Sequence, residues 1–171
     1  MNREIAIYPN PVLRKPSTAV EVIDADLRRL AGDMCETLYA NNGLGLAAPQ
    51  VFVNTRLIVI DLSKERNEPQ ILVNPEITKK TGKETFDEGC LSFPGIQARV
   101  ERALAISVYA QNLEGEELDI QAEGLVARAI QHEIDHLDGI LFIDRIEEVE
   151  RFQIPEELER LEKGIVNALQ E

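Results

Sequence analysis

Apolar residues recur along the chain with the spacings of two kinds of element. Spacings of three and four residues, typical of a helix with one apolar face, occur at Leu27, Leu30, Met34 and Leu38. Asp24 can cap the start of this helix, and Asn41-Asn42-Gly43 should end it. A second apolar stripe predicts a helix over 124–137, with Gly139 where a helix C-terminus favours glycine. A third helix is predicted over 156–169.

Runs of aliphatic and β-branched residues predict strands between the first two helices, over 56–62, 71–77, 103–110 and 117–122. The turn Asn112-Leu113-Glu114-Gly115 predicts that the last two strands form a hairpin. This order of elements is that of an α+β fold, because a parallel sheet would need strands and helices in alternation. We therefore expect antiparallel β-sheets packed around a central helix, with an N-terminal and a C-terminal helix. Because it has no repeat and no Gly/Ser-rich linker, the chain is predicted to form one domain, 1–171.

The charge and composition of the chain exclude two classes of partner. The chain has 18 basic and 31 acidic residues and a formal net charge of −13, whereas a nucleic-acid-binding protein needs a cationic face. We therefore expect no binding to DNA. Because no apolar run approaches about 20 residues, we also expect no membrane association. The N-terminus lacks a signal pattern and the chain has only Cys35 and Cys90, so a reducing cytoplasm is the expected compartment.

Both histidines of the chain lie in one short segment, His132-Glu133-Ile134-Asp135-His136, within the second predicted helix. Side chains at positions i and i+4 project from the same face of a helix, so both imidazoles can reach a single metal ion. Glu133 can then reach a water molecule beside the metal and move its proton. A solvated helix face that carries HExxH by chance is the alternative interpretation.

A catalytic metal needs a third protein ligand, and Cys90 is the best candidate. No histidine follows His136, and the glutamates between 147 and 162 fall largely on a charged, solvent-facing helix. Cys90 lies in Glu88-Gly89-Cys90-Leu91-Ser92, where nearby glycine and proline residues indicate an irregular backbone. Cys35, inside the first helix, is interpreted as a small buried apolar residue.

The segment GLGLAAPQ, 43–50, carries small residues that let another backbone come close, as when a peptide pairs with a strand edge. Gln50 ends the segment with an amide that can donate a hydrogen bond to a polarised carbonyl. A tight turn packed against a helix explains the same residues, and both interpretations remain open at this point.

Together, the three segments resemble those of peptide deformylases, a family marked by GxGxAAxQ, EGCLS and HExDHLxG. This chain reads GLGLAAPQ at 43–50, EGCLS at 88–92 and QHEIDHLDG at 131–139, in the same order. The resemblance extends from the N-terminal segment to about Ile146. It implies a hydrolase of protein biosynthesis that removes the formyl group from the N-terminal formyl-methionine of newly made polypeptides and releases formate. The implied compartment is the bacterial cytoplasm, with an organelle, after removal of a targeting segment, as the alternative.

The resemblance also assigns roles to individual residues. One divalent metal ion, natively Fe(II) with Zn, Ni or Co as substitutes, is implied to be held by Cys90, His132 and His136. Glu133 is implied to be the general base and acid, while Gln50 and the backbone N–H of Leu91 bind the oxyanion. The implied substrate-binding residues are Leu44, Gly45, Phe86, Gly89, Leu125 and Ala129. Glu88 and Arg102 are expected to pair and to hold the cysteine loop. The ligand chemistry taken alone would have indicated zinc.

Two other functions are compatible with the HExxH segment. A metalloprotease that cleaves peptide bonds would dispense with Cys90 and take a glutamate after His136 as its third ligand. A structural metal site would have four ligands and no exchangeable water.

The last predicted helix bears on a possible partner. The resemblance leads us to expect transient ribosome association, which some family members achieve through a basic C-terminal tail. Here acidic residues predominate, which argues against docking through this helix. Its apolar face, predicted to pack inward, is formed by Leu158, Leu161, Ile165 and Leu169.

Overall fold

The computed structural model describes residues 1–146 and 155–168, with side chains in the last helix from 156 to 164. Within these residues there are three α-helices: α1 (Ala25–Ala40), α2 (Gly124–Leu137) and α3 (Pro155–Ala168). The strands of the same residues are β1 (Gly45–Ala47), β2 (Leu57–Ile60), β3 (Gln70–Thr81), β4 (Glu84–Gly89), β5 (Gln97–Arg102), β6 (Ala105–Gln111) and β7 (Glu117–Glu123). All strand pairings between them are antiparallel, which confirms the predicted α+β fold.

The first two helices begin and end where the sequence predicts. Asp24 caps α1, since its carboxylate accepts the N–H of Leu27 at 2.8 Å. At the other end, the N–H of Gly43 donates to the carbonyl of Leu38 and closes the helix. Helix α2 stops before Gly139, whose φ of 73° lies in the left-handed region that favours glycine.

A five-stranded sheet in the order β1-β2-β3-β6-β7 forms the centre of the fold. The predicted hairpin is confirmed, because β6 and β7 pair from Ala105↔Glu123 to Gln111↔Glu117. Strand β3 runs four residues beyond its predicted end at Ile77. Those residues are polar and exposed, and they pair with β6, so backbone hydrogen bonds extend the strand without an apolar pattern.

A second, two-stranded sheet of β4 and β5 was not predicted. Inward positions of β5 alternate regularly, but the third of them is Arg102, a buried charge where the pattern requires an apolar residue. Strand β4 has a mostly exposed, polar sequence. The irregular backbone predicted around Cys90 begins directly after β4, so the sheet carries the cysteine loop between its two strands.

Strand β2 lies between two apolar layers, which explains its unbroken run of aliphatic residues. Leu57 and Val59 belong to the cluster that covers α1, and Ile58 and Ile60 belong to the cluster that covers α2. A third cluster joins β5 to the N-terminal segment and to the short helix Phe142–Arg145. The central helix α2 is thus buried against the large sheet, as predicted.

Helix α3 packs on this third cluster through Leu158 and Leu161, two of the four residues predicted to face inward. The side chain of Ile165 and the whole of Leu169 lie outside the described residues. None of the helices in the described part of the chain is long and apolar enough to cross a bilayer.

Substitution by alanine is expected to have opposite effects on stability at two glycines, Gly139 and Gly32. A Cβ at Gly139 would lie 2.5 Å from the carbonyl oxygen of Arg14, on a backbone with positive φ. We expect Gly139→Ala to lower the free energy of unfolding by at least about 2 kcal/mol. Gly32 is exposed inside α1 with no atom within 4 Å of an added Cβ, so Gly32→Ala should raise the same quantity by about 0.5–1 kcal/mol. Urea unfolding of both variants checks the pair, and an unchanged midpoint for Gly139→Ala would contradict the first expectation.

Candidate active site

Three side chains with metal-ligating atoms meet at the inner face of α2. His132 and His136 lie one turn apart on this helix, with ring centroids 5.0 Å apart. Cys90 follows β4, and its Sγ lies 3.3 Å from Nε2 of His136. Their ligand atoms all lie within 4.8 Å of one another. The structure therefore brings together the three residues that the sequence predicts as metal ligands.

The donor set and its surroundings fit a divalent metal ion. Ligand atoms of a tetrahedral site at about 2.0–2.3 Å from the ion lie roughly 3.5 Å apart, and the 3.3 Å between Sγ of Cys90 and Nε2 of His136 is close to this separation. Both histidines are buried, and one oxygen of the neighbouring Glu133 carboxylate is buried with no hydrogen-bond partner among the described residues. Buried polar atoms without partners are rare, and an ion with its water would provide one. A thiolate with two imidazoles suits zinc or iron.

The carboxylate of Glu88 orients His132. It accepts from Nδ1 of His132 at 2.8 Å and from Nε and Nη2 of Arg102 at 2.5 and 2.9 Å. Burial alone would raise the pKa of Glu88, but the hydrogen bonds from His132 and Arg102 outweigh it and hold the pKa at about 2. An ionised carboxylate only accepts, so Nδ1 of His132 carries the proton and Nε2 is left to bind a metal. The predicted pair of Glu88 and Arg102 is present.

Glu133 lies beside the three ligands and packs directly on strand β1. A Cβ at Gly45 would come within 2.8 Å of Cγ of Glu133, so only glycine leaves room for this side chain. Glu133 is 4% exposed, and burial raises the pKa of its carboxyl to about 7. A carboxyl with this pKa can take up and release a proton near neutral pH.

The amide of Gln50 is held in one orientation by the backbone of its own segment. Its Oε1 accepts the N–H of Ala47 at 2.9 Å. Its Nε2 therefore points the other way, to Oγ of Ser92 at 3.1 Å and Sγ of Cys90 at 3.6 Å. The Nε2 group thus lies on the side of the cysteine loop, next to the sulfur of Cys90.

A cavity of about 870 Å³ opens onto these groups. Its walls include most of the residues predicted to bind substrate or the oxyanion, namely Leu44, Gly45, Gln50, Gly89, Leu91, Leu125 and Ala129. Phe86, which is 55% exposed, is not part of the wall. Its ring centroid lies 6.0 Å from the guanidinium carbon of Arg128, and Arg128 does line the cavity. Among the described residues β1 pairs only with β2, so its other edge is free beside the cavity. The segment 43–50 is thus a strand edge followed by a 3₁₀ turn.

Comparisons with known proteins agree with this geometry. The sequence profile of the family described as polypeptide deformylase matches residues 2–152. This chain belongs to the peptide deformylase family. A peptide deformylase of Alkalilimnicola ehrlichii is 49% identical over 166 residues, which are 96% of this chain and 93% of the relative.

Solved structures of peptide deformylases have the same fold. The enzyme from Legionella pneumophila matches 97% of this chain and 98% of its own with a TM-score of 0.89 at 40% identity. The enzyme from Thermotoga maritima matches 86% of this chain and 99% of its own, with a TM-score of 0.82 at 42% identity.

Three charged residues that support the site were missed by the sequence analysis. Asp135 accepts from Nη1 of Arg102 at 2.8 Å and from Arg145 at 2.5 and 2.8 Å. Arg128 donates to Glu88 at 2.6 Å. A signal was available, because positions 128, 132 and 135 follow one another on the same face of α2.

We expect the variant Cys90→Ala to lose most of its bound metal, because two imidazoles alone are a weak site. Cys35→Ala is the matched control: Cys35 packs in the α1 cluster, and burial raises the pKa of its thiol. Metal content per protein, measured by plasma mass spectrometry, checks both variants. Equal metal in wild type and Cys90→Ala would remove Cys90 from the site.

Proposed function

We propose that this protein is a metal-dependent hydrolase that removes the formyl group from the N-terminal formyl-methionine of newly made polypeptides and releases formate. One observation carries the proposal: Cys90, His132 and His136 converge beside the buried carboxylate of Glu133 in a cavity bordered by a free strand edge. Membership of the peptide deformylase family supports it. The proposed catalytic domain is the single unit 1–171.

In the proposal, Cys90, His132 and His136 hold one divalent ion and leave a coordination position open. We infer Fe(II) as the native ion, with Zn, Ni or Co as substitutes, from the resemblance and from a donor set that suits each of them. When bound, the ion supplies Lewis acidity, which polarises the formyl carbonyl and lowers the pKa of water.

Glu133 moves the protons of the reaction. Its carboxylate takes a proton from the attacking water and later gives it to the leaving amine. Two features support this role: the pKa of the carboxyl is about 7, and one of its oxygens has no hydrogen-bond partner among the described residues. Gly45 keeps the carboxylate in place, since any larger residue would displace it.

The amide of Gln50 and the N–H of Leu91 donate to the oxygen of the formyl group as it gains negative charge. Preorganised donors of this kind contribute about 3 kcal/mol each to the stability of the transition state. Gln50 is preorganised because Ala47 fixes its carbonyl end, so its Nε2 need not turn during the reaction.

The peptide binds as an added strand on the free edge of β1, with backbone hydrogen bonds to Leu44, Gly45 and Gly89. The methionine side chain then enters the cavity between Leu125 and Ala129. Phe86 takes part from the rim, where its exposed ring lies against Arg128.

We place this activity in the bacterial cytoplasm, with an organelle as the alternative, and propose nascent polypeptides as the partners. Transient ribosome association remains part of the proposal, through a surface other than α3. That helix carries four exposed glutamates and two basic residues, so its net negative charge disfavours contact with RNA. The glutamates are Glu156, Glu157, Glu159 and Glu162.

The metalloprotease alternative makes a different prediction about the ligands. It requires a glutamate from 147–162 and no cysteine, whereas the ligating group in the described residues contains Cys90 and no such glutamate. Residues 147–154 lie outside the described part of the chain. Formate release from formyl-Met-Ala-Ser, measured beside cleavage of an internal peptide bond in an unformylated peptide, separates the two. Internal cleavage without formate would overturn the proposal.

We expect Glu133→Gln to lower kcat by roughly a hundredfold or more, because glutamine keeps the shape but cannot accept a proton. Metal content and KM should stay near wild type, since the ligands and the edge of β1 are unchanged. The measurement is formate release, with metal analysis of the same preparation. A variant that holds its metal and turns over at the wild-type rate would exclude Glu133 from proton transfer.

A further inference from the structure

The metal ligands stand on two separately packed parts of the molecule. Apolar residues of α2 pack with the five-stranded sheet in one cluster. Cys90 and β5 belong to another cluster, built around Phe93 and Phe142. The two clusters share no residue among those described. The ring of His132 does contact Phe142, with centroids 6.1 Å apart, so polar contacts between the two parts act together with this ring contact to set the distance between the cysteine and the histidines.

Arg128 connects these two parts through hydrogen bonds. It lies on α2 with 4% of its surface exposed. Its Nη1 donates to Oε2 of Glu88 at 2.6 Å and to the carbonyl of Val100 at 2.8 Å. Its Nη2 donates to the carbonyl of Glu84 at 2.6 Å. One rigid guanidinium thus contacts both strands of the small sheet, and its planar geometry fixes direction as well as distance.

The same side chain determines how Glu88 meets His132. Each carboxylate oxygen of Glu88 has two donors: Arg102 and Arg128 on Oε2, Arg102 and His132 on Oε1. With Oε2 held by two arginines, the carboxylate cannot turn away, and Oε1 stays opposite Nδ1 of His132. Arg128 and His132 are one turn apart on α2, so the helix and its carboxylate partner form a closed unit.

We propose that Arg128 is a positioning residue of the metal centre. It holds the sheet that carries Cys90 at a fixed place relative to α2, and it holds Glu88 in the rotation that orients His132. The inference rests on the proposed ligand set. Arg128 also lines the cavity, but three of its five N–H groups are directed to Glu84, Glu88 and Val100 of the small sheet, and it is through these three that it positions the metal centre.

The test measures the binding of cobalt(II) to metal-free protein by equilibrium dialysis, and the visible absorption spectrum of the cobalt protein, including the thiolate-to-cobalt band where Cys90 is present, is recorded alongside. Arg128→Met keeps an unbranched side chain in place of the aliphatic part of arginine and removes every donor, and we expect the cobalt dissociation constant to rise 10–100-fold with a changed spectrum. Arg128→Lys keeps the charge but cannot reach three acceptors at once, so it should give an intermediate value.

Arg56→Met is the matched control. Arg56 also anchors α2, but at its C-terminal end, through Asp138 at 2.8 Å and the carbonyl of Leu137 at 3.4 Å. Its removal should lower thermal stability while the cobalt affinity and spectrum remain those of wild type. If Arg56→Met weakens cobalt binding as much as Arg128→Met does, general loosening of α2 is the cause and the proposal is overturned.

Wild-type affinity in Arg128→Met also overturns the proposal. If Arg128→Met does not fold, Arg128→Lys decides, since cobalt binding equal to wild type contradicts the need for the guanidinium fork, and weaker binding supports it. Cys90→Ala, measured alongside, should bind cobalt more weakly than either arginine variant. Cobalt binding by Cys90→Ala at wild-type strength would overturn the ligand set and this inference together, whereas a weakened Cys90→Ala beside an unaffected Arg128→Met overturns the inference alone.

Discussion

The carboxylate of Glu88 is the group on which the rest of the site depends. It is buried and ionised, and a buried charge is tolerated only when its hydrogen-bonding capacity is filled. Two arginines and His132 supply the four donors: Arg102 lies on β5, and Arg128 and His132 lie one turn apart on α2. Satisfying one carboxylate therefore brings the small sheet against the central helix and sets the protonation of an imidazole.

The parts of the fold that obey apolar periodicity could be predicted from the sequence. Helices α1 and α2 and the β6–β7 hairpin bury one regular face, and their bounds agree with the pattern to within a few residues. The small sheet could not be predicted, because its inner face carries Glu88 and Arg102. Those residues are stable there only because of partners on α2, which lie 33 to 44 residues away in sequence, and a local pattern of apolar and polar residues cannot indicate such distant pairs.

The site divides in the same way. That Cys90, His132 and His136 converge could be predicted, because a metal site requires those residue types and they fall in short motifs. Glu133 and Gln50 also fall in short motifs and lie beside these ligands, as expected. The supporting residues Arg128, Asp135 and Arg145 could not be predicted, because charged residues are usually solvent-exposed and the sequence does not show which buried partner each one has. Gly45 is an intermediate case: the sequence indicates a close approach, and the structure identifies the approaching group as the carboxylate of Glu133.

Strand β1 has only three residues, 45–47. An extended chain paired along it is contacted over about 10 Å, and those contacts are made to backbone atoms that every polypeptide shares. A surface of this kind accepts many different sequences after the first residue, as the proposed activity on newly made polypeptides requires. Its shortness has a second effect: three residues are too few to hold another copy of the same edge, so the open strand stays available without causing self-association.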